Sequence, residues 1–190
     1  MAARDRRADR GPAGANHSRT ARKSESIPSG AVLHALGRIG PWTEGLVRPQ
    51  GILALVKGIA DTGFLVAFAN RNDAHHDWAV GAAQQLTEPL LTCEAVLAET
   101  AFHLESVPIA LAMVSTGLVT LAFQCDEHLR ELAALAKRYA DRRPDLADLC
   151  LIRMSELHPR HSVLTVDRRD FRVYRRNKRE VIPLICPPGL

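Results

Sequence analysis

Hydrophobic and polar positions change their rhythm abruptly near Val56. Before that point no apolar periodicity is sustained, and only Ala31 to Ile39 offers a short, weak helix. After it, short apolar runs alternate with helical spacing. Val56 to Asp61 is predicted as a first strand ending in an acid, and helical spacing then runs through Trp78, Ala82 and Leu86. Pro89 to Thr92 reads as a second buried strand and Cys93 to Glu105 as a helix. A further helix, Ile109 to Ser115, follows Pro108. Leu118 to Phe123, rich in apolar and β-branched residues, is the third strand. Asp126 is expected to cap a long amphipathic helix reaching Tyr139, and Asp145 to cap another reaching Leu157. Ser162 to Val166 is the fourth strand and Val181 to Ile185 the fifth. Strands alternating with helices indicate an α/β fold, a three-layer α/β/α (Rossmann-like) arrangement around a mainly parallel sheet of about five strands.

Length and charge sharpen this picture without changing it. At 190 residues and 46% apolar composition the chain suits one globular domain with a substantial core. The boundaries read as a basic extension over residues 1–55 and a domain over residues 56–187. The extension carries nine Lys or Arg against four acids, so the overall charge of +4 reports the extension, and the remainder stands at −1. A segment of that composition is predicted to be disordered, because it cannot bury enough surface to offset its ordering entropy. No apolar run approaches the ~20 residues of a membrane span, and no secretory leader is readable, so a cytoplasmic protein is expected. Cys93, Cys125, Cys150 and Cys186 contain no CxxC pair and read as reduced, mostly buried residues, not a zinc site or disulfide framework.

The chemistry lies in the acids. Ligands of open parallel sheets bind outside the carboxyl ends of the strands. Asp61 ends the first strand and Asp167 follows the fourth, although a strand-end Asp also serves as an ordinary helix or turn cap. Glu99 has Ala95, Val96 and Phe102 among its one-turn neighbours, and a carboxylate on such a face is costly unless it is paired or binds a cation. Asp148 has Leu151 and Ile152 one turn on. With Asp145 taken as the helix cap, Asp148 is the functional acid, and an exchange of those two roles stays open. Four acids on one edge would repel one another unless a cation neutralised them. Oxygen ligands select Mg²⁺ or Mn²⁺ over zinc. Such ions polarise phosphoryl oxygens and acidify coordinated water, as phosphodiester hydrolysis requires.

These segments resemble a known family. Asp61-Thr62-Gly63-Phe64-Leu65 after a strand is similar to the opening motif of PIN domains. Glu94 to Glu99 resembles the second-helix motif, Asp145-Leu146-Ala147-Asp148 a later helix start, and Thr165-Val166-Asp167-Arg168-Arg169-Asp170-Phe171 the closing motif. The resemblance runs from about Val56 to Pro187 and is strongest to VapC-like toxins of bacterial toxin–antitoxin pairs. It implies a Mg²⁺- or Mn²⁺-dependent endoribonuclease acting on RNA and inhibited by a cognate antitoxin protein, and it admits a homodimer. By position it implies Asp61, Glu99, Asp148 and Asp167 as catalytic metal-site acids. The closing motif is one residue longer than the usual Asp-x-Asp-Phe form, which leaves Asp170 as an alternative fourth acid, and Asp145 as an alternative to Asp148.

Thr62 would orient a carboxylate or touch phosphate. The basic run of Arg168, Arg169, Arg172, Arg175 and Arg176, continued by Lys178 and Arg179, would engage RNA phosphates, with Tyr174 stacking on a base. Its bland reading is a solubilising surface loop. His75 and His76 are adjacent on a helix and cannot face one metal site, and Trp78 is expected in the core. A dinucleotide-binding enzyme would need a glycine-rich turn where Asp61 stands. A haloacid-dehalogenase-like phosphatase would need a second Asp at Gly63, and a phospho-receiver has no place for Glu99. The remaining alternatives are a non-catalytic RNA- or protein-binding module on the same fold, which has no reason to keep four acids, and a DNA-directed nuclease.

Overall fold

The computed structural model describes residues 57–189. The expectations for residues 1–55, and for Val56 as the start of the domain, fall outside the described residues. The elements run in chain order as β1 (Gly58–Ala60), α1 (Thr62–Ala69), α2 (His76–Ala83), β2 (Leu90–Thr92), α3 (Glu94–His103), α4 (Val107–Ser115) and β3 (Val119–Leu121). A short 3-10 turn (Cys125–His128) follows, then α5 (Leu129–Arg138), α6 (Leu146–Leu157), β4 (Ser162–Leu164), α7 (Arg168–Phe171), β5 (Arg175–Arg176), β6 (Glu180–Val181) and β7 (Leu184–Ile185).

Five strands form one sheet in the order β3-β2-β1-β4-β7, and every pairing in it is parallel. The chain winds outward from β1 through β2 to β3, then returns to the other side of β1 with β4 and β7. The switch of direction therefore falls between β1 and β4, the place where this architecture opens a crevice at the carboxyl ends of its strands. Gly58 permits that junction: a side chain there would run into both Leu164 of β4 and Leu90 of β2. Helices flank the sheet to give three α/β/α layers, with α1 against α2 and α3, and α6 against α3, α5, β1 and β4. The core joins Phe64 and Phe68 of α1 to Ile59, Leu90, Leu151, Ile152, Met154 and Leu164, all fully buried. Among the described residues no helix is long and apolar enough to cross a membrane.

Four details depart from the pattern reading. The helical stretch after Asp61 is two helices, broken where Asn70 and Asp73 turn their side chains onto the backbone N–H groups of Asn72 and His75. Leu86 is buried but lies beyond the second of them. Asp126 caps nothing: it sits inside the 3-10 turn, and α5 starts after His128 with no side-chain cap. Val181 belongs to a separate β5–β6 hairpin, leaving only Leu184–Ile185 for the fifth strand of the sheet. That hairpin turns at Asn177 and Lys178, both with positive φ (46° and 69°), the paired left-handed conformation of a tight hairpin. Trp78 is partly buried and packs edge-on against Phe64. Among the cysteines, Cys93 and Cys150 are buried and Cys125 and Cys186 partly so. All four are free thiols, with the Cys125 and Cys150 sulfurs 3.4 Å apart.

Candidate active site

Asp61 leaves β1 and immediately becomes the N-cap of α1, because its Oδ1 accepts the Thr62 N–H at 2.7 Å. Its other oxygen accepts the Thr165 hydroxyl at 2.6 Å, across the β1–β4 junction. The same Thr165 oxygen accepts the Asp167 N–H at 2.8 Å, so a single hydroxyl ties the two strand ends together. Gly63 lets α1 approach the strand that follows: a Cβ there would lie 2.5 Å from Val166 Cγ2. Thr62 turns away from Asp61 and donates its hydroxyl to Glu99 Oε2 at 2.7 Å.

Asp145 caps α6 as the sequence indicates, accepting the Asp148 N–H at 2.8 Å, and this holds Asp148 one turn into the helix. Asp148 Oδ2 accepts the Tyr174 hydroxyl at 3.1 Å. Asp167 caps α7 through Oδ1, which accepts the N–H groups of Arg169 and Asp170 at 3.1 Å each.

All of these acids line one open cleft of about 340 Å³: Asp61, Glu99, Asp148 and Asp167, together with Asp145 and Asp170. The two uncertain pairs are thus neighbours in one site. Asp170 adds its charge to the field on Asp148, and Asp145 to the fields on both Asp148 and Asp61. The electrostatic consequence is large. Burial pushes Asp61 from 3.8 up to about 6, assisted by the charges of Glu99 and Asp145 and opposed by its bonds from Thr165 and Thr62. Burial also pushes Asp148 up to about 7, with Asp145 as the next cause and the Tyr174 bond working against it. Two carboxylates raised by burial and by the charges of neighbouring acids in one cleft are the mark of a functional site.

The donor set suits a hard divalent ion, since the polar side chains of the cleft are carboxylates and a hydroxyl, with His103 as the single nitrogen donor. Among the described residues no three acidic, histidine or cysteine side chains are set to grip a bare ion directly.

Several readings of single residues change. Glu99 stands at the border of the apolar face: Val96 is buried and Ala95 packs on the core, whereas Phe102, one turn on, is 77% exposed. Glu99 is only partly buried and is held by Thr62, with His103 Nε2 at 3.7 Å from its other oxygen. Tyr174 cannot stack on a base, because it is buried against Phe171 and Tyr139 and spends its hydroxyl on Asp148. The basic run is not a plain surface loop. Arg176 is bound to Glu180 and to the carbonyl of Pro159, and Arg175 to the carbonyls of Arg172 and Tyr174. Arg168, Arg169 and Arg172 stay exposed beside the cleft. His75 and His76 diverge as expected, with His76 Nδ1 meeting the Ala67 carbonyl at 2.9 Å. Sequence reasoning gave no role to Thr165, Asp73 or His103. Asp73 and His103 line the cleft. Only Thr165 carried a signal, as the hydroxyl two residues before a strand-end Asp.

The sequence profile of the PIN domain matches residues 59–177, well over half of the chain and the whole of the acidic cleft. A search of curated proteins finds no match. PIN domains are generally metal-dependent nucleases, and the cleft provides what such chemistry needs. On the extent of that match, the chain belongs to the PIN-domain family.

Proposed function

We propose that the chain is an endoribonuclease that uses Mg²⁺ or Mn²⁺ to hydrolyse RNA phosphodiester bonds, and that it is the toxin of a cytoplasmic toxin–antitoxin pair. The observation that carries the nuclease reading is the convergence of Asp61, Glu99, Asp148 and Asp167 on one cleft, with Asp61 and Asp148 raised to near neutrality. Such a pair would release its protons to a divalent cation, whose charge stabilises carboxylates that burial and the neighbouring acids otherwise keep protonated.

Asp61 and Asp148 would hold the ion, with Glu99 and Asp167 or Asp170 completing its surroundings through water. When bound, the ion supplies Lewis acidity toward a phosphoryl oxygen and acidifies a coordinated water. The chain's own residues do the positioning. Thr165 and the Thr62 N–H fix both oxygens of Asp61, so this carboxylate cannot rotate as charge builds up nearby. Tyr174 orients Asp148, and the Thr62 hydroxyl orients Glu99. Arg168, Arg169 and Arg172, exposed beside the acids, draw the phosphate backbone toward them.

An antitoxin would silence the site by placing an Arg among the acids in the cation's stead, using bidentate bonds. Apolar residues docked between helices would supply the rest of its grip. A homodimer is compatible with this reading.

Purified protein should cleave RNA with Mg²⁺ or Mn²⁺ and stop in EDTA, and Asp61→Asn and Asp148→Asn should each remove most activity. DNA of the same sequence should be cut poorly. Undiminished cleavage in chelator, or by Asp61→Asn, overturns the nuclease assignment. Expression in bacteria should arrest growth in an Asp61-dependent manner, with relief by a co-expressed neighbouring gene. Normal growth with abundant soluble protein removes the toxin role and leaves the nuclease standing.

A further inference from the structure

Three of the four cysteines meet in the fold although the chain holds them far apart. β2 and β3 are parallel neighbours with Thr92 aligned to Leu121, so Cys93 and Cys125, which follow these strands, leave the same edge of the sheet. α6 packs against α3, the helix that starts after Cys93, and carries Cys150 to the other two. The Cys150 sulfur stands 3.4 Å from that of Cys125 and is hydrogen-bonded to Cys93 as well. Cys186 lies elsewhere, on the wall of a cavity beside β7 with Arg168 and Arg172. The proposed hydrolysis uses none of these thiols.

The three differ in access. Cys93 and Cys150 are fully buried, whereas Cys125 is partly exposed. A cavity of about 450 Å³ opens nearby, lined by Gln124, which precedes Cys125, and by Glu94, which follows Cys93. Cys125 also begins the 3-10 turn, which has no side-chain cap and leads into α5, itself uncapped. A small oxidant therefore meets Cys125 first. A disulfide needs its sulfurs at about 2.05 Å, and the short uncapped turn is the partner that can close the remaining gap to the rigid helix.

We propose that Cys125 and Cys150 are a reversible redox pair, converted by a hydroperoxide to a disulfide that slows cleavage at the adjoining acids. First the Cys125 sulfur attacks one peroxide oxygen of hydrogen peroxide; the O–O bond breaks, leaving a sulfenic acid on Cys125 and a water. The Cys150 sulfur then attacks the Cys125 sulfur, the S–O bond breaks, and the departing hydroxide takes the Cys150 thiol proton as a second water. Two thiols are oxidised and one peroxide is reduced to two waters. The bond reaches the cleft through α6, where Asp148 stands two residues before Cys150. It also takes the Cys150 thiol from its hydrogen bond with Cys93, at the foot of the helix that carries Glu99. The effect on cleavage rests on the nuclease reading; the disulfide does not.

The test treats the full chain with equimolar hydrogen peroxide in EDTA, alkylates the remaining thiols in denaturant, and maps unreduced peptides by mass spectrometry. The wild type should lose two of its four thiols and yield a peptide pair joined through Cys125 and Cys150, and dithiothreitol should restore all four. With peroxide removed and excess Mg²⁺ added, the oxidised protein should cut single-stranded RNA about tenfold more slowly than the reduced protein, since small displacements of a catalytic group are costly. Dithiothreitol should return the rate. Cys125→Ser, at the partly exposed position, should cut like the reduced wild type and keep that rate after peroxide. Cys186→Ser should still form the disulfide. An oxidised Cys125 without a crosslink, a disulfide that uses Cys93 or Cys186, or a mapped bond with cleavage unchanged overturns the proposal. A reduced wild type that cuts no RNA strikes the nuclease reading instead, and the mapped bond still decides the pair.

Discussion

Replacing Asp61 by Asn should make the protein inactive and more stable, and the gain should depend on pH. Asp61 is buried, and in the folded chain it titrates near 6 where its ordinary value is 3.8. At 1.36 kcal/mol per unit, the folded state disfavours the ionised carboxylate by about 3 kcal/mol. The direction follows from linkage. The folded pKa is raised, so the native state holds the proton more tightly than the unfolded state, and stability falls as pH climbs from about 4 through 6. Above that the full cost is present.

Asn carries no charge and can still accept the Thr62 N–H. Its amide would donate to Thr165, whose hydroxyl hydrogen then loses its acceptor, because the Thr165 oxygen already takes the Asp167 N–H. That loss costs about 1 kcal/mol. The net gain is about 2 kcal/mol at pH 8, or roughly 6 to 8 °C for a domain of this size, and close to zero at pH 4.5. Thermal unfolding of both proteins at the two pH values measures it. Adding Mg²⁺ at pH 8 should raise the melting temperature of the wild type and barely move that of Asp61→Asn. A variant that melts no higher than the wild type at pH 8, or that gains equally at pH 4.5, refutes the reasoning.

Three further substitutions probe the scaffold. Gly63→Ala should cost about 1 to 3 kcal/mol and lower cleavage, because the new methyl meets Val166 and displaces the turn that carries Asp167; denaturant unfolding and a rate assay report both. Tyr174→Phe removes the bond that holds Asp148 down, so the acidic limb of the cleavage pH profile should move to higher pH, with little change in folding. Arg176→Ala should destabilise by about 1 to 2 kcal/mol through lost bonds to Glu180 and the Pro159 carbonyl while leaving KM for RNA unchanged; a raised KM would restore Arg176 to the substrate surface.

The parallel sheet and its acidic edge were legible because both rest on short-range signals. The apolar run Leu90–Thr92 starts directly after Pro89, and Asp61 and Asp167 stand beside strand ends whatever the helices do. What failed depended on tertiary partners. Phe102 has the spacing of a core residue but is exposed, so periodicity overstated how far Glu99 is buried. Val181 to Ile185 is apolar throughout, and only the pairing of Val181 with Arg175 assigns its first residue to a hairpin. Tyr174 sits in a run of arginines and looks solvent-bound, yet Phe171 and Tyr139 enclose it. Thr165 stands two residues before a strand-end Asp, but its hold on Asp61 is visible only once β4 lies beside β1.

That last adjacency governs when the site comes into being. Asp61 belongs to the first strand described, but the hydroxyl that clamps it is 104 residues further along, and Gly58–Ala60 align with Ser162–Leu164. On an emerging polypeptide Asp61 and Glu99 appear early, with neither Thr165 nor Asp167 present to complete the edge. A pairing of such long sequence separation forms late. A growing chain therefore lacks the Thr165 clamp until β4 has docked, and a fragment ending before β4 carries Asp61, Glu99 and Asp148, three of the four acids, without the residues that complete the edge.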